Sequence, residues 1–251
     1  ALNEEKVIGK TLAECFKLKK LYDLQVLVVL DSKTTDNTAA VAKKTGATVI
    51  QTGKWKGKGY ALRKATKFIK GDYVIQIDAD YQFMPFDIPK FMDALQNGYD
   101  VALATRYEKG AKVSKDSVTP FRQFGIHLLS IATSIAAGQR VTDMLAGFKG
   151  FKTKVLKDID MKEDHYGYEA EVIIKAAQKK YKIKNIPIHI QTERGNLEAY
   201  FFIDLMNLDI ADSYRAIIQG LKVANEQLST AHQRLIDQQA QLVHSEKMAS
   251  L

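Results

Sequence analysis

The sequence predicts an α/β fold: a mostly parallel sheet with helices on both faces, followed by a long C-terminal coiled-coil helix. Three observations carry this. Buried-strand runs alternate with helical patterns in the first half of the chain, and acid-led loops end two of those runs. Near the end, a leucine recurs every seven residues.

The first residues, "ALNEEKVIGKTL", read as a loop entering a helix. "LQVLVVL" (Leu24 to Leu30) is a buried strand, followed by "DSKTTDNT" and the helix "AAVAKKTG", closed by glycine. "ATVIQ" is a second strand, "GKGYALRKATKFIKG" a glycine-opened helix and "DYVIQI" a third strand. "MPFDIPKFMDALQNG" predicts a turn and a helix, with Asp87 as N-cap and Pro89 in its first turn. "YDVALATRY" is a fourth strand, and this β-α-β-α-β order argues for parallel pairing. Residues 113–138 read as mostly helical; "IHLLSIATSIAAG" is too short to span a membrane and predicts a buried helix. A short strand "GFKGFKT", a helix "YGYEAEVIIKAAQKK" and a strand "YKIKNIPIHI" closed by Pro187 complete a domain over residues 1–196.

Residues 197–213 form an apolar stretch interrupted by Asp204, Asp209 and Asp212, which predicts an amphipathic connector helix. From 214 to 251 the seam is Leu221, Leu228, Leu235 and Leu242, interleaved with Ala224, Ala231, Gln238 and Ser245 and extended backward by Tyr214 and Ile217. A homodimer through this helix is the expectation.

The net charge of +8 and pI near 9.3 favour anionic partners. The basic residues are dispersed and no nucleic-acid module is present, so nucleic acid is not expected as a partner. A single cysteine, Cys15, rules out a disulfide within the chain and suits a buried structural thiol in a reducing compartment.

The chemistry concentrates in "YVIQIDADYQ". At a strand end Asp78 and Asp80 can converge on one hard cation, Mg²⁺ or Mn²⁺, which takes oxygen ligands and keeps positions open for phosphate. Ligands of open parallel sheets bind beyond the carboxyl ends of the strands, where both "LDSKTTD" and "DADYQ" fall.

Taken in order, "ALNEE", "VVLDSKTTDNT", "GKGYALRKA", "DYVIQIDADYQFMPFDIPKF", "DVALATRY", "VTDMLAGFKGF" and "GYEAEVIIKAAQKKYKIKNIPI" resemble family 2 glycosyltransferases. The resemblance is greatest to dolichol- or polyprenyl-phosphate sugar transferases, whose fold is GT-A (Rossmann-like). It implies a metal held by Asp78, the Ala79 carbonyl, Asp80 and Gln82. It also implies nucleotide contacts from Leu2, Asn3, Glu4, Asp31 and Lys58. The expected activity is inverting transfer of a sugar from a UDP- or GDP-sugar to a lipid phosphate at a membrane surface. The expected location is cytoplasmic, peripheral at the inner face of the plasma membrane.

Arg106 and Arg122 match the family's arginines and would hold an anionic acceptor, with Arg194 a further candidate. A hydroxyl acceptor would need a carboxylate base, for which Asp143 comes first and Glu169 and Glu171 follow. Three departures accompany the resemblance. The family's central strand before "ALNEE" has no counterpart, so the chain reads as a window of a longer protein; Asp31-Ser32 replaces a paired Asp-Asp; and no membrane helices follow residue 210. The tail resembles the signalling helix of sensor histidine kinases, although His244 is not in the phosphoacceptor motif. The alternative function is therefore a non-catalytic nucleotide-sugar-binding sensory module.

Overall fold

The computed structural model describes residues 1–53, 56–114 and 120–190, with isolated helical positions between 217 and 239. The first helix, α1 (Ile8–Lys17), buries Ile8, Thr11, Leu12 and Cys15, the spacing of a one-faced amphipathic helix. Strand β1 (Leu27–Leu30), helix α2 (Thr38–Lys44) and strand β2 (Thr48–Gln51) form a right-sized βαβ unit, and β1 pairs with β2 in parallel. Gly46, at φ +90°, supplies the left-handed turn that ends α2. Ala1 lies alongside β1, donating to the Val29 carbonyl and accepting from the Asp31 amide.

Helix α3 (Lys58–Thr66), β3 (Tyr73–Gln76), α4 (Ile88–Gln96), β4 (Val101–Thr105), a short β5 (Lys112–Val113) and the long α5 (Pro120–Ala137) follow. The chain continues through β6 (Lys149–Lys152), α6 (Thr153–Asp158), α7 (Tyr168–Gln178), β7 (Ile183–Pro187) and β8 (His189–Ile190). The main sheet runs β3-β6-β4-β7, and β5 pairs with β8 separately. Helices cover both faces, as expected. Along β4, Val101 and Leu103 pack towards Tyr168, Val172 and Ile173 of α7, whereas Ala102 and Ala104 pack towards Ile88, Phe91 and Leu95 of α4. That period-two division buries β4 on both sides, which explains its unbroken apolar run.

Four expectations are corrected. The sheet is mixed rather than mostly parallel, because β6 inserts antiparallel to both β3 and β4. Arg106, just past the end of β4, is bonded to Asp143, which precedes β6, so the chain re-enters the sheet at the end where β4 leaves it. Asp87 stands at the N-cap of α4 but does not cap it; its buried carboxylate accepts from the His189 amide and bonds the His189 ring and Lys90. Helix α5 is not fully buried: Phe124, Leu128, Ile131 and Ile135 form an exposed stripe at helical spacing. Ile217, assigned to the coiled-coil seam, is buried in the domain core with Tyr168 and Ile173. The connector at 197–213 and seam residues Leu228, Leu235 and Leu242 lie outside the described residues, as does the resemblance to a signalling helix that rests on them.

Phe91 stacks on Phe148 with ring centroids 4.2 Å apart and is fully buried. Phe91→Ala is expected to cost about 3–5 kcal/mol, read as a lower denaturant midpoint at unchanged m-value. Burial also pushes the Cys15 thiol up to about 11 from 9.0. The resulting stability is present in full below pH 9.0 and is lost as pH rises through about 11. A thiol reagent at pH 8 should label Cys15 rapidly only after unfolding.

Candidate functional site

The site begins where β3 ends. Asp78, Ala79 and Asp80 lie in a turn beyond Gln76, not within the strand, so period-two alternation does not orient the carboxylates. Local contacts do. Asp78 Oδ1 pairs with Lys58 Nζ at 2.7 Å, and its carboxylate rests on Gly147, where any Cβ would collide with it. The Ala79 carbonyl accepts from Thr11 Oγ1 of α1 at 3.1 Å. Asp80 Oδ1 accepts from the Gln82 amide at 3.1 Å, closing an Asx turn. Tyr81 is thereby held at φ +59°, a strained conformation for a non-glycine residue, with its ring buried and Lys10 Nζ 4.1 Å from the ring centroid.

Lys58 opens α3, and the flanking glycines explain how it reaches Asp78. Gly57, at φ +94°, and Gly59 lie against residues 163–168 so closely that a Cβ at either would strike that loop. The Tyr60 amide donates to the Asp164 carbonyl at 3.0 Å, and Arg63 binds the Glu163 carbonyl and the Asp164 carboxylate. Pressed inward, Lys58 Nζ also lies 3.4 Å from Glu169 Oε1. Burial works against its charge, but Asp78, with Tyr168 and Glu169, holds its pKa well above the usual lysine value. Tyr168 donates its hydroxyl to Glu169 and accepts from Gln76 Nε2 at 2.6 Å.

A second group of loops meets at the end of β1. Asp31 Oδ1 accepts from the Lys33 amide at 2.9 Å. Asn3 Oδ1 accepts from the Thr35 amide at 2.9 Å, and Glu5 Oε2 accepts from the Asn37 amide at 2.9 Å. In return, the Glu4 amide donates to Thr38 Oγ1 at 2.8 Å and the Glu5 amide to Asp36 Oδ2 at 3.0 Å. The 2–5 and 31–38 loops thus form one interlocked wall, with Asn3 at φ +52° and Leu2 exposed. Of the expected nucleotide residues, Leu2, Asn3, Glu4 and Asp31 are brought together here and Lys58 lies apart beside Asp78; Glu5, Asp36 and Thr38, which fasten the wall, were not anticipated. "DNT" before an alanine-rich helix was the signal.

The expected acid–base and acceptor residues sit differently. Asp143 is 0 % exposed and is gripped bidentately by Arg106, through Nε at 2.6 Å and a terminal nitrogen at 2.7 Å. The Arg106 amide adds a third bond at 3.2 Å. Burial opposes the guanidinium charge, yet Asp143 outweighs it and raises the Arg106 pKa. In this structure the two expected site residues are thus paired with each other: the carboxylate accepts three bonds from Arg106, and the guanidinium is turned inward. Glu171 accepts from the Lys162 and Glu163 amides and from Lys175, which anchors the 160–163 loop. Glu169 is committed to Lys58, Tyr168 and Lys149. Arg122 belongs to α5, but its side chain lies outside the described part, as does all of Arg194.

A model of glycosyl transferase family 2 matches residues 1–160. The chain belongs to that family. Among relatives of this glycosyltransferase, an uncharacterized protein of Methanocaldococcus jannaschii is 34% identical over 195 residues, covering 75% of this chain and 77% of its own. A dolichyl-phosphate hexose transferase of Haloferax volcanii is 30% identical over 193 residues, covering 77% and 81%. Longer relatives extend further: the chain spans 52% of the glycosyltransferase AglJ of Haloferax volcanii. Glucosyl-3-phosphoglycerate synthase from Mycobacterium tuberculosis, solved with UDP, gives a TM-score of 0.70 at 21% identity over 86% of this chain and 77% of that one. That likeness shows a shared fold. The same synthase has been solved with Mn²⁺, UDP-glucose and phosphoglyceric acid, with a TM-score of 0.69 and 21% identity.

Arg106→Ala would strand the Asp143 charge in the interior. It should destabilise the glycosyltransferase by about 3–5 kcal/mol, measured by chemical denaturation, whereas a surface Arg140→Ala should change stability by about 0.5 kcal/mol or less.

Proposed function

We propose that this glycosyltransferase moves a sugar from a UDP- or GDP-sugar onto a polyprenyl or dolichyl phosphate with inversion, using Mg²⁺ or Mn²⁺. The observation that carries the acceptor class is the commitment of the three candidate bases. Asp143, Glu169 and Glu171 are each buried and bound to cations or amides. A phosphate oxygen is anionic near neutral pH and attacks without a base, whereas a hydroxyl needs one. The relationship to a dolichyl-phosphate hexose transferase supports the same acceptor.

The donor set of the 78–82 turn fits a hard cation: two carboxylates, a backbone carbonyl and an amide side chain, with neither sulfur nor imidazole. Asp80, Gln82 and Asp78 would hold it, and the donor's diphosphate would complete the shell. Among the described residues no group of three or more His, Cys, Asp or Glu side chains could hold an ion. When bound, the cation supplies Lewis-acid stabilisation of the leaving diphosphate.

The wall formed by the 2–5 and 31–38 loops would bind base and ribose, with Leu2 as an apolar contact. Lys58, beside Asp78, keeps positive charge at the diphosphate position, and Asp78 keeps Lys58 in place. As the acceptor oxygen bonds to the anomeric carbon, the sugar–oxygen bond breaks and its electron pair leaves with the nucleoside diphosphate. The exposed stripe Phe124, Leu128, Ile131 and Ile135, with the net charge of +8, supports work at an anionic lipid surface. No described helix is long and apolar enough to cross a membrane. Dimerisation by the C-terminal heptads would then tether two such domains.

Purified protein, Mn²⁺, labelled UDP- and GDP-sugars and polyprenyl phosphate in detergent should yield a labelled lipid. Asp80→Ala or chelation should lower turnover by about 100-fold or more. Full turnover under chelation would overturn the metal role, and transfer only to hydroxyl acceptors would overturn the acceptor. Donor binding without transfer to any acceptor would instead fit the sensory module.

A further inference from the structure

Behind the 78–82 turn lies a lysine that none of the foregoing chemistry uses. Lys149, the first residue of β6, is 1 % exposed, between Phe148 and Gly150 in a strand paired on both sides. Burial there drives its pKa down, and Glu169 beside it opposes the fall. A buried ammonium is costly, and an apolar side chain of similar length would pack more favourably. Its contacts are specific. Nζ donates to the Ala146 carbonyl at 2.6 Å and lies 3.1 Å from Glu169 Oε2.

Both contacts lead back to Asp78. Ala146 is bonded to Gly147, the surface on which the Asp78 carboxylate rests. Glu169 presents its other oxygen to Lys58 at 3.4 Å, and Lys58 grips Asp78 at 2.7 Å. The path Asp78, Lys58, Glu169, Lys149, Ala146–Gly147 and back to Asp78 is a closed ring. Lys149 ties its two arms together, since it touches both Glu169 and the 146–147 segment.

We infer that Lys149 is a positioning residue of the donor site: through Glu169 and the Ala146 carbonyl it fixes the two supports of the Asp78 carboxylate. The inference rests on the 78–82 turn binding a cation and a nucleoside diphosphate. Without Lys149, Glu169 retains Lys58 as its only cationic partner in the ring and draws it from Asp78, while the 146–147 segment loses its anchor. Removing Glu169's charge breaks the same ring at the neighbouring link.

Charge and geometry make opposite forecasts, which makes the idea testable. If only net charge mattered, Lys149→Met would tighten cation binding and Glu169→Gln would loosen it. If the ring positions Asp78, both weaken it, and Lys149→Arg restores much of it.

The measurement is Mn²⁺ affinity of the full chain in the presence of UDP, and separately of GDP, from the electron paramagnetic resonance signal of free Mn²⁺. A loss of about 10-fold or more in both variants is expected, with native circular dichroism, recovery in Lys149→Arg and no further loss in the double variant. Opposite shifts, or unchanged affinity with only a lowered melting temperature, would overturn it. Should Lys149→Met fail to fold, Lys149→Gln takes its place, because charge alone still forecasts tighter cation binding and the ring weaker binding: unchanged or tighter affinity overturns the ring. Wild-type protein that binds no Mn²⁺ with either nucleotide overturns the underlying site as well, and is recognisable because no variant is then needed.

Discussion

The ion pair between Lys58 and Asp78, at 2.7 Å, is the contact around which the site is arranged. It joins the start of α3 to the turn after β3, two segments that sequence order leaves apart. In partly screened surroundings such a pair is worth a few kcal/mol before desolvation, about 4 kcal/mol near 4 Å at an effective dielectric of 20. Much of that is consumed by withdrawing both groups from water. The surplus therefore depends on geometry, and geometry here depends on small residues. Gly57 and Gly59 let α3 press against the 163–168 loop, and Gly147 lets the Asp78 carboxylate lie flat on the backbone. A methyl group at any of these would push the charges apart.

The same economy of space explains which acids are locked in place. The interior carries Asp143, Glu169 and Glu171, and each is matched by cations or amides because an unmatched buried charge is too costly. What remains near the ends of β1 and β3 is the turn with Asp80 and Gln82 and the wall built by the 2–5 and 31–38 loops. Two non-glycine residues with positive φ, Asn3 and Tyr81, stand in these two places, where backbone strain is sustained by interlocking hydrogen bonds and burial.

Where local pattern controls structure, the sequence was legible. "VVL", "VALAT" and the helix "YEAEVIIKAAQ" form the elements that their apolar spacing requires, and Gly46 closes α2 as expected. Partnerships across long sequence separations were not legible. "KGFK" has no alternation that discloses an antiparallel insertion between β3 and β4, and its lysine inside an apolar strand was the one overlooked clue to the ring. Likewise, "GKG" advertises a special backbone, yet the loop that requires the glycines lies some 100 residues away, as the Arg63–Glu163 contact shows. The pairing of Asp143 with Arg106 was not legible either, because their proximity is a property of the fold alone. For α5, composition implied burial, whereas packing leaves Phe124, Leu128, Ile131 and Ile135 to the outside.

The account stands on a cation and a diphosphate sharing the turn after β3. Crystals grown with Mn²⁺ and UDP, examined at a wavelength where manganese scatters anomalously, test this most directly. One strong peak within coordination distance of the Asp80 carboxylate and a UDP phosphate oxygen, with Lys58 still against Asp78, is the result the account requires. Bound UDP with its phosphates remote from that turn and no manganese beside Asp80 would contradict it.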